Sequence, residues 1–328
     1  MRLSSFSPEL LPSALVDALR ALGIVSDADL FLSATPLEIW RKLPPDLMPF
    51  SEFERCVKAV MLRCALPGVV AAQVDERRPA SDQFKPETGV GNLDGLLGTT
   101  LRDSVVEISG RQGSAATTLA LQITCNQLSL HPRATVLWVD TTGDFSPAKA
   151  NTVLRSTVPH EGTPTALQRL QVALAFDIDS LFEILNSTTY DDVGCLVIDN
   201  IAPILGPNLS AVTAEGHAVM TTLVRTLRTI SRNHHLTSII TNTSTLMPGG
   251  GRNPTSAFSG TTAKPSLGPT FSYLVDATLW LAKASQVLDT DREDLYIAEI
   301  LKSRKTATGW CFLELIGGAF KNARLELD

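Results

Sequence analysis

The sequence predicts an α/β core with a mainly parallel sheet and an antiparallel extension, preceded by a small helical N-terminal domain. Five short apolar runs alternate with helical segments between residues 105 and 242, which is typical of a parallel sheet with covering helices. Three further runs begin at residues 277, 295 and 310 without long helices between them. This second pattern predicts the antiparallel extension.

The first part of the chain carries helix-start patterns. Each consists of a capping Ser or Thr followed three residues later by an acidic residue; the pairs are Ser26 with Asp29, Thr35 with Glu38, and Ser51 with Glu54. The next segment mixes proline, glycine and charge without helical period, which is typical of a linker. The predicted domains are therefore a helical domain at 1–66, a linker at 67–92 and a core at 93–328.

Composition argues against a general nucleic-acid binder and against a membrane-spanning protein. The 328 residues carry a net charge of −6, whereas a general nucleic-acid binder is usually basic, so DNA contacts are expected to be local or shared with a partner. The sequence has no run of about 18 apolar residues, and we therefore predict no membrane span.

The stretch GRQGSAATT, at 110–118, lies between a predicted strand and a predicted helix. A phosphate-binding P-loop has the pattern G-x-x-x-x-G-K-[ST] in this setting. Gly110 fits the first glycine and Thr117 fits the hydroxyl position, but Ala115 and Ala116 stand at the second glycine and the lysine. The predicted nucleotide site is a degenerate one, formed by Gly110, Gly113, Ser114, Ala115, Ala116, Thr117 and Thr118.

A second signal of a nucleotide site is an acidic residue at the end of the apolar run LVID. Its Asp199 stands where a nucleotide-binding protein places the carboxylate that holds Mg²⁺ together with the P-loop hydroxyl. Thr117 and Asp199 are therefore the candidate metal residues if a magnesium nucleotide binds. A buried strand that ends in an Asp at a turn would give the same pattern.

The order of these segments resembles the eukaryotic RecA-type recombinases and their paralogues. The resemblance is carried, in order, by ETGVGNLDGLL at 87–97, VLWVDTTGDFSPAKA at 136–150, LVIDN and SIITN. The segments KPSLGPTFSYLVDATLWL and LKSRKTATGW resemble the D-type paralogues in particular. The resemblance spans nearly the whole chain and implies a RecA-like P-loop core of the kind found in DNA-dependent ATPases.

The chain departs from this family at the groups that hydrolyse ATP. The family's P-loop lysine corresponds to Ala116, its water-orienting Glu to Thr142, and its γ-phosphate-sensing Gln to Thr243. One hydrogen bond to a charged group contributes about 1.5–3 kcal/mol, so these losses weaken binding as well as catalysis. We therefore expect ATP and Mg²⁺ to bind weakly or not at all, and we expect no catalytic residues.

Family recombinases bind single-stranded DNA through cations on two loops. The first corresponds to residues 203–216, which contain no Lys or Arg, and the second to 247–270. The DNA-binding candidates are therefore Arg252 and Lys264 on the second loop, and Lys302, Arg304 and Lys305 in a small basic group further along. A solvated strand end is the alternative explanation for that group.

Family recombinases also polymerise through a linker Phe-x-x-Ala that docks as an added strand on the next core. Val69 and Ala72 have this spacing within GVVAA and are the partner-binding candidates. An ordinary apolar linker start would have the same composition.

Together these features predict a non-catalytic recombinase paralogue of homologous recombination DNA repair, acting in the nucleus. It would be a subunit that works with other recombinase paralogues and the recombinase, helping to assemble or stabilise the recombinase filament on single-stranded DNA. Two alternatives stay open: a slow DNA-stimulated ATPase that still binds Mg-ATP, and a RecA-fold scaffold outside recombination. Nucleotide binding distinguishes the first alternative, and co-purification with paralogues the second.

Overall fold

The computed structural model of the chain contains two compact units. The first comprises Met1–Ser81 with Asn208–Thr226, and the second Asp82–Pro207 with Leu227–Asp328. The structure describes residues 2–64, 86–111, 113, 115–157, 163–208 and 215–323. Val69, Ala72 and Ser114 lie outside the described residues, so the predictions for them stay predictions.

Among the described residues, the first unit has four N-terminal α-helices around one apolar core. They are α1 (Ser13–Ala21), α2 (Asp27–Leu32), α3 (Pro36–Trp40) and α4 (Phe50–Cys64). Leu15, Leu19, Phe53 and Val60 are buried in this core. Burial of each such side chain stabilises the fold by about 1.5–3 kcal/mol.

Two of the three predicted capping boxes are confirmed. In the box before α2, Ser26 Oγ accepts from the Asp29 N–H at 3.1 Å and Asp29 Oδ2 accepts from the Ser26 N–H at 2.8 Å. Thr35 and Glu38 form the same arrangement before α3. The prediction for Ser51 is wrong, because α4 begins at Phe50 and Ser51 already lies in its first turn.

The second unit is built on a nine-stranded sheet. Its strand order is β11-β10-β9-β8-β1-β5-β4-β2-β3, and the six strands from β8 to β3 are parallel. The strands are β1 (Val105–Gly110), β2 (Thr135–Asp140), β3 (Leu170–Leu174), β4 (Val193–Asp199), β5 (Thr237–Asn242), β8 (Ala277–Lys283), β9 (Leu295–Ser303), β10 (Gly309–Ile316) and β11 (Ala319–Asn322). A separate antiparallel hairpin is formed by β6 (Ser244–Leu246) and β7 (Ala263–Pro265).

An apolar core of the second unit includes Ile108, Leu119, Trp138, Val197 and Ile239. Helices precede and connect the parallel strands. They are α5 (Gly91–Leu97), α6 (Ala116–Leu130), α7 (Pro147–Thr157), α8 (Thr163–Leu167), α9 (Ile178–Ser187), α10 (Ala202–Leu205), α11 (Glu215–Asn233) and α12 (Gly268–Leu274). None of the described helices has the length and apolarity that a membrane span requires.

The predicted fold class is confirmed, with one difference in the extension. The run that begins at residue 277 is β8, which pairs parallel with β1, so the antiparallel extension consists of β9, β10 and β11. A parallel crossover needs a connection of a dozen residues or more, and the long segment between β5 and β8 supplies it. Because β1, β5, β4 and β2 are neighbours, their carboxyl ends form one continuous edge.

The segment at 247–270 is folded onto the extension. The buried Glu299 of β9 accepts hydrogen bonds from Ser256 Oγ, at 2.7 Å, and from the Ala257 N–H. Asn253 Nδ2 donates to the Ala263 carbonyl at 3.0 Å. A Cβ on Gly260 would lie 2.2 Å from the Val287 carbonyl oxygen. One buried carboxylate and close backbone contact therefore fix this segment.

Replacing Glu299 with Ala is expected to release the segment. The change leaves the buried Ser256 hydroxyl and the Ala257 N–H without their charged acceptor, and such a hydrogen bond contributes about 1.5–3 kcal/mol. Hydrogen–deuterium exchange should show amides of 253–263 exchanging at least tenfold faster. Glu293→Ala is the control, since that carboxylate is exposed and pairs with Lys283. Equal exchange in the two variants would contradict this role.

Candidate functional site

Two described residues of the loop between β1 and α6 have positive φ. Gly113 has φ +79°, and Ala115, which caps α6, has φ 61° and ψ 30°. The left-handed conformation costs an L-residue about 1–2 kcal/mol, which is why glycine usually occupies such a position. Ala115 therefore retains the backbone of the glycine that it replaces.

Ala115→Gly is expected to stabilise the protein by about 1 kcal/mol. Glycine removes the conformational strain of the left-handed alanine. This gain in stability exceeds the loss that results from the greater backbone entropy of the unfolded chain. Urea unfolding measures the change in free energy of unfolding. Ala116→Gly is the matched control, because Ala116 is helical and glycine there should be neutral or destabilising. If Ala115→Gly destabilises as much as the control, the loop strain is not present in solution.

The predicted hydroxyl and carboxylate lie together behind this loop. Thr117, in the first turn of α6, donates from Oγ1 to Oδ1 of Asp199 at 3.0 Å, and Thr241 of β5 donates to the same oxygen. Burial raises the pKa of Asp199 above its usual range, although the two hydroxyl hydrogen bonds and the charge of Lys149 act against it. Thr118 is buried one residue further along α6. A hydroxyl and a carboxylate at this distance are a suitable donor set for Mg²⁺.

The end of β2 supplies no free carboxylate. Asp140 accepts hydrogen bonds at 2.9 Å from the N–H groups of Thr142, Gly143 and Phe145, and a fourth from the Thr142 hydroxyl. Burial raises the pKa of Asp140, but these hydrogen bonds outweigh it and the net shift is downward. Asp140 is therefore a charged group that holds the turn. Thr142, at the position of the family's water-orienting Glu, bonds to this same carboxylate.

A cavity of about 570 Å³ opens in front of these strand ends. The P-loop side of its lining includes Gly110, Gly113, Ala115, Ala116 and Thr117, and the β4–β5 side includes Asn200, Thr241, Asn242, Thr243 and Ser244. Among the described lining residues the charged ones are Arg111 and Lys149, both positive. The site is therefore suited to an anion, and the described lining contains no carboxylate.

Two further cations at the site, Lys149 and Arg111, were not predicted from the sequence. The signal for Lys149 was present, because Ser146-Pro147 marks a helix start directly after the turn that follows β2. Ser146 Oγ accepts from the Lys149 N–H at 3.3 Å, which places Lys149 in the first turn of α7 at the same sheet edge as the P-loop. Arg111 follows the first P-loop glycine directly.

A chain of hydrogen-bonded polar side chains connects the cavity to Glu107, a buried carboxylate that was also not predicted from the sequence. Thr243 Oγ1 donates to Ser266 Oγ at 3.1 Å, and Ser266 Oγ donates to Asn242 Oδ1 at 2.7 Å. Asn242 Nδ2 donates to Glu107 Oε1 at 2.6 Å, and burial raises the pKa of Glu107. Thr243, at the γ-phosphate-sensing position, is thus linked to Ser266 at the end of the 247–270 segment.

The structure separates the DNA-binding candidates into two groups. Arg252 and Lys264 lie on the segment that follows the carboxyl end of β5, and Arg252 Nη2 donates to the Ser256 carbonyl at 3.2 Å. The other group lies at the amino end of β8, which is at the opposite edge of the sheet. It consists of Lys302, Arg304 and Lys305. The two groups therefore do not form one surface.

The second group is engaged with the protein itself. Lys302 Nζ donates to the Val275 carbonyl, and burial lowers the pKa of Lys302 to about 8. Arg304 donates to the Tyr273 carbonyl at 2.7 Å and lies 3.6 Å from Asp276. Lys305 Nζ donates to a backbone carbonyl in the turn before β1. These contacts join the end of β9 to the residues that precede β8 and β1.

Known proteins share this sequence pattern and this fold. The chain is 29% identical over 206 residues to the DNA repair protein RAD51 homolog 4 of Bos taurus, covering 59% of this chain and 60% of that protein. Its identity to the Mus musculus protein of the same name is 28% over 206 residues, covering 59% of each. The chain thus matches about three fifths of the length of these relatives. No protein-family model matches the chain.

The crystal structure of the RadB recombinase has the same fold. It superimposes with a TM-score of 0.58 at 20% sequence identity, covering 73% of this chain and 100% of the RadB chain. The RecA-like core predicted from the sequence is confirmed, and the chain is homologous to RAD51 homolog 4.

Proposed function

We propose that this homologue of RAD51 homolog 4 acts in homologous recombination repair as a non-catalytic subunit. In this proposal it helps to assemble or stabilise the recombinase filament on single-stranded DNA in the nucleus. The observation that supports the non-catalytic part is the cavity, which is lined by residues of the P-loop segment but has no carboxylate among its described lining residues. The recombination part rests on the homology to a DNA repair protein.

Hydrolysis needs a base to orient water, and none of the described lining residues of the cavity carries a carboxylate. Asp140 is committed to the N–H groups of its own turn. Asp199 lies behind the hydroxyls of Thr117 and Thr241. A general base and an electrostatic group each contribute about two to four orders of magnitude to a rate, so their combined loss reduces turnover to background.

The proposed partners are other recombinase paralogues and the recombinase. The contact surface on this chain would include the edge strand β3, at one end of the sheet. Val172, Leu174 and Phe176 at this edge are 41%, 57% and 63% exposed. No described strand pairs with the outer edge of β3. A strand edge with apolar side chains favours the addition of a strand from another chain. Single-stranded DNA would then be reached through the complex.

Affinity purification from the source cell tests the proposal. The tagged full chain should co-elute with recombinase-fold proteins after nuclease treatment, and disruption of its gene should sensitise cells to agents that break DNA. Recovery of a single chain, with no sensitivity, would favour a RecA-fold scaffold outside recombination.

A second candidate function is a slow, DNA-stimulated ATPase. The hydrogen bond between Thr117 and Asp199 favours it, since the same pair could hold Mg²⁺. In that case Asp199→Ala would abolish a measurable rate of ATP hydrolysis.

A further inference from the structure

The cavity at the P-loop contains positive charge at a position other than the usual one. The lysine position is Ala116, whose side chain packs against the apolar core. Lys149 reaches the cavity lining from the first turn of α7, and Arg111 from the loop after β1.

The remaining lining complements these cations. The first N–H groups of α6 have no acceptor within the helix, and the positive end of the helix dipole lies at the same point. Asn200 adds a side-chain amide on the opposite side, whereas Asn242 Nδ2 and Thr243 Oγ1 already donate to Glu107 and Ser266. A volume of about 570 Å³ is within the range of small-molecule sites. The described lining thus offers two cations, the amide of Asn200 and the amino end of α6 to a chain of phosphates.

We infer that Lys149, assisted by Arg111, replaces the missing P-loop lysine, so that the cavity binds the polyphosphate of a nucleoside triphosphate without hydrolysing it. The cation comes from the segment after β2 rather than from α6, and it meets the phosphates from the side. Bound nucleotide then acts as a structural ligand that stabilises the second unit. This inference does not depend on the role in recombination.

The expected effect of Lys149 is measured by titration calorimetry of the full chain with ATP and MgCl₂. Lys149→Met, which removes the charge and keeps the length, should weaken binding at least tenfold, because charge-assisted contacts to phosphate are the strong ones. Lys321→Met is the matched control, since Lys321 is an exposed lysine on β11 and should leave the affinity unchanged. Inorganic triphosphate should show the same ranking, which would assign the effect to the phosphates rather than the nucleoside.

A rescue variant makes the test specific. Adding Ala116→Lys to Lys149→Met returns a cation to the usual P-loop position and should recover most of the lost affinity. Three results would overturn the inference: no binding by the wild type at millimolar ATP, wild-type affinity in Lys149→Met, or equal weakening in Lys321→Met. Circular dichroism confirms that each variant is folded. Co-purification with partners is measured separately, so its outcome does not affect this one.

Discussion

The purified chain is expected to hydrolyse ATP no faster than buffer, with or without single-stranded DNA. Ala116, Thr142 and Thr243 stand at the three positions where the family places its phosphate-binding lysine, its water-orienting Glu and its γ-phosphate sensor. The described cavity lining contains two cations and no carboxylate, which is the structural basis of this expectation. Steady-state phosphate release at saturating ATP measures the rate.

Single reversions should not restore activity. Catalytic groups that act as a unit are strongly non-additive, so a lysine without a base, or a base without a lysine, gives little. Ala116→Lys should therefore tighten ATP binding without turnover, and Thr142→Glu should give neither. Hydrolysis clearly above background in the wild type, removed by Asp199→Ala, would disprove the non-catalytic proposal and establish the slow ATPase.

Eight strands of the nine-stranded sheet could be predicted, because each is a short apolar run and because period and burial are visible in a sequence. The direction of β8 could not, because the apolar run ATLWLA reports that the strand is buried but not which neighbour it pairs with. β11 was missed for a related reason: its four residues, AFKN, are too short to show a period. Tertiary pairing decides both cases.

At the site, spacing predicted the residues that lie close together in sequence or at a strand end. Gly110, Thr117 and Asp199 were found in this way, and Thr117 and Asp199 are hydrogen-bonded. The contact of Glu299 with the 247–270 segment was not predictable, because it joins residues 43 and 42 positions apart through the sheet register. The sheet register also places Lys302 at the opposite end of the strands from Arg252. The sequence alone shows only that both residues are cations.

Charge placed on the outer edge of β3 is expected to remove one partner, and charge placed in the linker to remove another. If Val69 and Ala72 dock on a neighbouring core while β3 receives a neighbour's linker, the chain contacts two different chains through two surfaces. Burial of Val69 would contribute about 1.5–3 kcal/mol, so Val69→Asp should weaken its contact tenfold or more. Leu174→Asp should do the same at the β3 edge, where Leu174 is 57% exposed in the free chain.

Pull-down of partners with each variant resolves the two surfaces. Val69→Asp and Ala72→Glu should lose the same partner, and Leu174→Asp and Phe176→Asp the other. Leu246→Asp is the matched control, because Leu246 is 63% exposed on the β6–β7 hairpin and should keep both partners. Valine is smaller than the family's phenylalanine, so the pocket that receives Val69 should be shallower than that of the recombinase, which favours a paralogue over self-association. If all four variants stay folded and retain every partner at wild-type levels, the linker is only a tether and β3 is not a contact surface, which leaves the helical domain or another face of the core as the site of assembly.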